Sequence, residues 1–315
     1  MKRYHDIAGD GGSRVLEQVA EQRARIRDGL AGVRHIVAVG SGKGGVGKST
    51  LTLHLASALC ARGLRIAILD ADLNGPSQAR MAGVEGALFV PGRHKVALPR
   101  TKDGIGVFSM GSLIPESQAL EFESAAEGES HTWRGTREFA LLTEILGSFD
   151  WGALDLLIID LPPGADRTVQ YADFLRPRVS FLLVTIPSEV ARGVVARSVA
   201  ALSRGPNRIL GYIENMNGYF CRDCNAIKPL FVSPERADAA HRSTPLAIPC
   251  LGTVPFDPEL ARHCDWGIPL AGLRETPAGH ALQQIAQQLL DTLEIHSPGL
   301  AHRPSELPRG TEPSR

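Results

Sequence analysis

The sequence predicts a doubly wound α/β fold on a mostly parallel sheet, and three observations support this. Short aliphatic runs alternate with longer helical stripes along most of the 315 residues. Several of those runs end on a polar residue, two of them on the aspartates Asp70 and Asp160. One run opens into a ten-residue glycine-rich loop, SGKGGVGKST, Ser41 to Thr50. Alternating strand and helix patterns favour a parallel sheet covered on both faces, with ligands held outside the carboxyl ends of its strands.

Taken in order, residues 1–12 are polar and Gly-rich. A helical period follows, with Val15, Val19, Ile26, Leu30 and Val33 on or near one face. Residues 1–34 therefore read as an arm carrying an amphipathic helix, 35–295 as the domain, and 296–315, rich in Pro and polar groups, as a disordered tail. His35 to Gly40 is a buried strand leading into the loop, and STLTLHLASALCARG is the helix leading out. Gly42 and Gly47 stand five positions apart and precede Lys48 and Ser49, the spacing of a phosphate-binding loop. In such a loop the backbone N–H groups, here from Gly42, Lys43, Gly44, Gly45, Val46, Gly47, Lys48, Ser49 and Thr50, point at phosphate oxygens. Lys48 supplies a point charge to the β/γ phosphates, and Ser49 is placed to ligate Mg²⁺.

A second strand, Arg65 to Leu69, ends in Asp70 and Asp72. Residues 85–134 are less regular; 112–131 are acidic and read as a solvated insertion, with partner docking the sharper alternative. Phe139, Leu142, Ile145 and Leu146 form a helical stripe before the strand LDLLIID, which closes on Asp160. An acid after four aliphatics is the Walker B arrangement, so Asp160 is expected to hold Mg²⁺ through water or to orient Ser49. Gly164 in DLPPG is placed to offer its N–H to a γ-phosphate as a switch. Val179 to Pro187 is a further strand with a helix behind it, and RILGYIEN ends another strand at Asn215. The last helix, residues 278–296, carries Leu282, Ile285, Ala286, Leu289 and Leu293 on one stripe. It has no Lys or Arg, which favours packing on the sheet over a membrane surface.

Composition bounds the function. Lys plus Arg and Asp plus Glu number 34 each, so no global charge points to nucleic acid or an acidic membrane. There is no leading signal segment and no run of eighteen apolar residues, which predicts a cytoplasmic protein. Five cysteines, an odd number, favour reduced thiols and metal chemistry over a disulfide framework. Cys221 and Cys224 form a CxxC that can hold one metal or one face of a cluster. Two thiolates are half of the usual set. A two-fold dimer would supply a second pair; Cys250 or Cys264 completing an intrachain zinc site, a redox disulfide and idle thiols are the competing readings. Cys60 lies in an apolar helix and reads as core.

KGGVGKST, with its early Lys43, resembles the deviant Walker A loop of the MinD/ParA and nitrogenase-iron-protein class of P-loop ATPases. That resemblance implies a nucleotide-sandwich dimer in which Lys43 reaches the partner's phosphates, a slow ATPase, and Asp72 of DADLNGPS positioning the attacking water. Asp70 would then assist the Mg²⁺ shell or its own loop. WRG, the WGALD spacing and IIDLPPGAD, together with the CxxC, narrow the likeness to the Mrp/ApbC group of iron–sulfur cluster carriers, over about His35 to Leu270. What that group implies is a homodimer holding a bridging [4Fe–4S] cluster on Cys221 and Cys224, with zinc an alternative occupant, and delivering it to apo iron–sulfur proteins. It also implies that ATP hydrolysis is coupled to transfer, with Asn215 on the adenine and Pro255 and Asp257 lining its pocket. The stretch after the CxxC lacks the group's usual Gly-rich turn. A MinD/ParA-like positioning switch, gated to a membrane or DNA, and an electron carrier resembling the nitrogenase iron protein are the alternatives; the balanced charge and acidic last helix favour neither nucleic acid nor membrane as partner.

Overall fold

A computed structural model describes residues 15–73, 75–87, 89–91, 95–112, 131–175, 178–221, 223–230, 246–267 and 275–295. Residues 1–12, nearly all of the acidic run, residues 231–245 after the CxxC and the tail lie outside them.

The elements follow one another as α1 (Val15–Gly29), β1 (Val33–Ser41), α2 (Lys48–Cys60), β2 (Ile66–Asp70), α3 (Gln78–Met81), β3 (Val90–Pro91), β4 (Val96–Ala97) and β5 (Gly106–Phe108). Then come α4 (His131–Ser148), β6 (Phe149–Asp150), β7 (Leu154–Asp160), α5 (Ala165–Phe174), β8 (Val179–Thr185) and α6 (Glu189–Leu202). The chain closes with β9 (Arg208–Cys221), β10 (Ala226–Lys228), β11 (Cys250–Phe256), α7 (Pro258–Trp266) and α8 (Pro277–Leu293).

Among the described residues the main sheet runs β10-β9-β8-β1-β7-β2-β5, with β11 also on β9. Its pairings are parallel except that of β10. Successive strand residues face opposite sides, so two cores form. On one side Val37, Val39, Ile158 and Ile68 meet α2 and α8. On the other, Ile36, Ala38, Ile159 and Leu69 meet Leu142, Ile145 and Leu146 of α4, Tyr171 of α5 and Val195 of α6. This is the doubly wound fold the sequence predicts. The apolar stripe of α8, Leu282, Ile285, Ala286, Leu289 and Leu293, is buried. No helix of the described residues is long and apolar enough to cross a membrane.

Two boundaries differ from expectation, each for a tertiary reason. Val33 does not continue the first helix but opens β1 opposite Leu154. Its carbonyl and that of Leu30 accept from the Arg178 guanidinium at 3.0 and 3.3 Å, which fixes this stretch as the entry to the sheet. The α1 helix lies along α4, tied by Arg25 to Glu144 at 2.8 Å. The strand after α6 does not stop at Asn215 either. It runs on to Cys221, because beyond Glu214, where β8 ends, β10 and β11 take over its hydrogen bonds. Met216, with φ 56°, marks the irregularity where the strand changes partners.

Candidate functional site

The parallel sheet brings the ends of β1, β2 and β7 together, with Asp70 and Asp160 paired in register on adjacent strands. Between β1 and α2 the chain turns through residues 42–47. Gly47 requires glycine twice over: its φ is 78°, and a Cβ there would lie 2.3 Å from the Asn215 side-chain nitrogen. That nitrogen donates to the Val46 carbonyl at 2.9 Å, so β9 grips the loop directly. Asn215, expected at an adenine, thus has its amide nitrogen committed to the loop backbone.

Behind the loop, Lys48 and Asp160 are buried and form an ion pair. The Lys48 ammonium also lies 3.4 Å from the Ser49 hydroxyl, and the Thr52 hydroxyl donates to Asp160 at 3.4 Å. Asp70 serves its own loop: its carboxylate accepts from the N–H groups of Asp72, Ser77 and Gln78 at 3.2, 2.9 and 3.0 Å and from the Ser109 hydroxyl at 2.9 Å. Burial, and then the charge of Asp160, push the Asp70 carboxyl up to about 7. Of the two roles expected for Asp70, these contacts are those of its own loop; three of them fall on one carboxylate oxygen and a single one, from the Asp72 N–H, on the other. Asp72 is half-buried and accepts from the Gly75 N–H at 3.2 Å.

Gly164 sits at the turn between β7 and α5. Its N–H donates to the Ser41 carbonyl at 3.0 Å, closing the DLPPG turn onto the end of β1. Lys43 is half-buried at the loop's start, and its carbonyl accepts from the Ser41 hydroxyl at 3.0 Å. Thr50, at the first turn of α2, hydrogen-bonds the Cys264 thiol of α7. Pro255 is buried in β11, one residue beyond Val254, which pairs with Asn215. Asp257 is the N-cap of α7, accepting from the Glu259 N–H at 3.0 Å.

Two groups went unread in the sequence. Gln78 is fully buried, and its side-chain nitrogen donates to the Ser49 carbonyl at 3.0 Å and to Asp160 at 2.9 Å, while its side-chain oxygen has no partner among the described residues. The signal was a long polar residue just after DADLNGPS, where a turn needs only Ser or Asp. The Tyr171 hydroxyl lies 2.9 Å from the Ala71 carbonyl and 2.7 Å from Glu138, which pairs with Arg167. These three residues tie α4 and α5 to the backbone beside Asp72; no local pattern announces them.

Cys221 ends β9 and is half-buried, and Cys224 lies in the β9–β10 turn and is exposed. Hydrogen bonds from the Cys224 backbone and thiol, then from the Asp223 N–H, hold the Cys221 thiol down to about 7. The intrachain zinc reading does not form. Cys250 pairs opposite Tyr212, nine residues and roughly 25–30 Å along β9 from Cys221. Cys264 is buried against Thr50, its thiol pushed up to about 11 by desolvation. Cys60 is buried as expected, its thiol donating to the Asp103 carbonyl at 3.2 Å. Among the described residues no three His, Cys, Asp or Glu side chains are arranged to hold a metal ion.

A glycine cradle, a buried lysine–aspartate pair at the next strand's end and an isolated dithiol on a hairpin are one combination. The family model for ParA, described as NUBPL iron-transfer P-loop NTPase, matches residues 32–290. This chain belongs to that family. Among curated relatives, the cytosolic Fe-S cluster assembly factor NUBP2 of Bos taurus is 37% identical over 268 residues, spanning 83% of this chain and 94% of that protein. The iron-sulfur cluster carrier protein of Methanocaldococcus jannaschii is 32% identical over 277 residues, 88% of this chain and 91% of that one. Among solved structures, a nucleotide-binding protein from Archaeoglobus fulgidus in complex with ADP superposes with a TM-score of 0.62 at 29% identity, over 78% of this chain and 90% of its own. The septum site-determining protein MinD of Pyrococcus horikoshii, complexed with Mg-ADP, shares the fold at a TM-score of 0.53 and 19% identity, over 81% and 95%.

The residues present fit a nucleotide with Mg²⁺. The loop offers backbone donors beside buried Lys48, the Ser49 hydroxyl and Asp160 lie within one cluster, and a buried acceptor on Gln78 stands unpaired there among the described residues. When bound, Mg²⁺ would neutralise phosphate charge and orient the terminal phosphoryl group.

Proposed function

We propose that this iron-transfer P-loop NTPase binds and slowly hydrolyses ATP, and that nucleotide governs a [4Fe–4S] cluster carried on Cys221 and Cys224, completed by a second copy of the chain and handed to apo-proteins. Residues 35–295 would form the working unit. The observation that carries this reading is β9: Asn215 on it holds the phosphate loop through the Val46 carbonyl, and Cys221 ends the same strand six residues later. A change of backbone at the loop therefore reaches the dithiol through one hydrogen-bonded strand of about 20 Å.

In this reading Lys48 exchanges Asp160 for phosphate oxygens, Ser49 and Asp160 serve the Mg²⁺, Asp72 positions the water, and Lys43 reaches the partner's nucleotide. Gly164 frees its N–H for the γ-phosphate only when its bond to Ser41 opens, which makes that bond a two-state element. The names of the relatives, a cluster carrier and a cluster assembly factor, support cluster handling as the purpose. Two cysteines furnish half of a four-ligand site, and a symmetric dimer doubles them.

Anaerobic reconstitution tests the reading. Iron, sulfide and visible absorbance should report about one [4Fe–4S] cluster per dimer, and Cys221→Ser should abolish it while leaving nucleotide binding intact. A full cluster on a strict monomer overturns the bridging model. Lys48→Ala and Asp72→Ala should stop ATP turnover, and Lys43→Ala should lower it by about 10³-fold, the scale of a charge supplied in trans. Full turnover by Asp72→Ala removes that residue from its role.

A further inference from the structure

Gln78 is the residue through which the two strand-end acids are joined. Its backbone N–H donates to Asp70 at 3.0 Å and its side-chain nitrogen to Asp160 at 2.9 Å, so one residue spans the register pair of β2 and β7. The orientation of the amide follows from its partners. The Ser49 carbonyl and Asp160 are both acceptors here, so the nitrogen must face them and the oxygen must face away. That oxygen is buried, and among the described residues nothing donates to it. An unpaired buried acceptor is costly, and water or an ion is the usual explanation when one persists.

We propose that Gln78 is a positioning residue for the hydrated Mg²⁺ that accompanies nucleotide, its side-chain oxygen accepting a hydrogen bond from a water of the cation's shell while its nitrogen fixes Asp160. Mg²⁺ keeps several of its waters in protein sites, and each needs an acceptor. Ser49 and Asp160, the residues assigned to the cation, are the two whose atoms the Gln78 nitrogen already touches. The same amide thus sets both the carboxylate and the water it serves. The inference rests on the nucleotide part of the function proposed above.

The test is equilibrium binding of a fluorescent ADP to the full-length protein, once in EDTA and once along a Mg²⁺ titration. Gln78→Met keeps the length and removes both polar atoms; it should raise the Mg²⁺ concentration at half-effect about tenfold and leave the affinity in EDTA within about twofold. Gln78→Ala leaves room for a water that can both donate and accept, so its Mg²⁺ shift should be smaller than that of Met although its cavity makes it the less stable protein. Unchanged Mg²⁺ dependence in both variants, or an equal loss of affinity with and without Mg²⁺, overturns the inference and leaves Gln78 a fastener of its loop. If Gln78→Met does not fold, the comparison of Gln78→Ala with wild type decides by the same criterion. Failure of the wild-type protein to bind ADP at all is a different result, and it removes the nucleotide reading itself.

Discussion

Cys221 receives hydrogen bonds from the two residues that complete its turn, and Cys264 receives a desolvated pocket, so one chain holds thiols of opposite character. The thiolate is the reactive and ligating form. Above about pH 7 Cys221 should therefore be largely ionised, while Cys264 stays protonated to about 11. Iodoacetamide labelling followed by peptide mapping should show Cys221 modified with a midpoint near 7, and Cys264 unmodified in the folded protein across that range. Equal labelling of the two would contradict the burial of Cys264. Gly47 carries a second prediction at this scale. Gly47→Ala imposes a side chain on a left-handed φ of 78° and on the Asn215 amide. The left-handed conformation alone costs about 1–2 kcal/mol. Nucleotide affinity should fall at least about tenfold as the loop shifts, measured by ADP binding against the wild type.

Among the elements, β2 and β7 are clamped at their entry ends by Asp155. Its carboxylate accepts from the Arg65 backbone at 2.9 Å and side chain at 2.9 and 3.1 Å, and pairs with Arg34 at 3.1 Å. The Arg65 side chain above all holds this carboxyl below the usual carboxylate range. A carboxyl depressed in the folded chain stabilises fully above its unfolded value of about 3.9, and that contribution is lost as the pH falls through the folded value. Both arginines are at least half exposed, so screening limits the effect. Asp155→Asn should cost about 1–2 kcal/mol at pH 7, and the gap to wild type in urea melts should close below about pH 4. The strands that carry the phosphate loop and Asp160 were legible because each holds a continuous aliphatic stretch, as LLII does in LDLLIID, and such stretches are buried on both faces of a parallel sheet. The second half of β9 was not. Its NMNGYFC breaks the apolar pattern, and it is a strand because β10 and β11 pair with it, a tertiary cause that no window of sequence contains. Gln78 escaped for the same reason, since its partners lie 29 and 82 residues away.

For the molecule as a whole, nucleotide and stability are linked. A ligand that binds only the folded chain adds about 2.7 kcal/mol at a hundred times its Kd. ADP with Mg²⁺ at that excess should raise the melting temperature, and Lys48→Ala, which removes a buried charge from the loop, should abolish the rise; a shift retained in that variant would place the nucleotide elsewhere. The strand order has another consequence, in time rather than in space. The strand leading into the phosphate loop is central, yet its neighbours β7 and β8 come much later in the chain. During synthesis at roughly 5–20 residues per second, Val33 must wait about 120 residues, on the order of ten seconds, for Leu154 to emerge. Through that interval an aliphatic strand has two bare edges on the ribosome, so the nascent chain is a natural client for a chaperone before the mature protein has anything to carry.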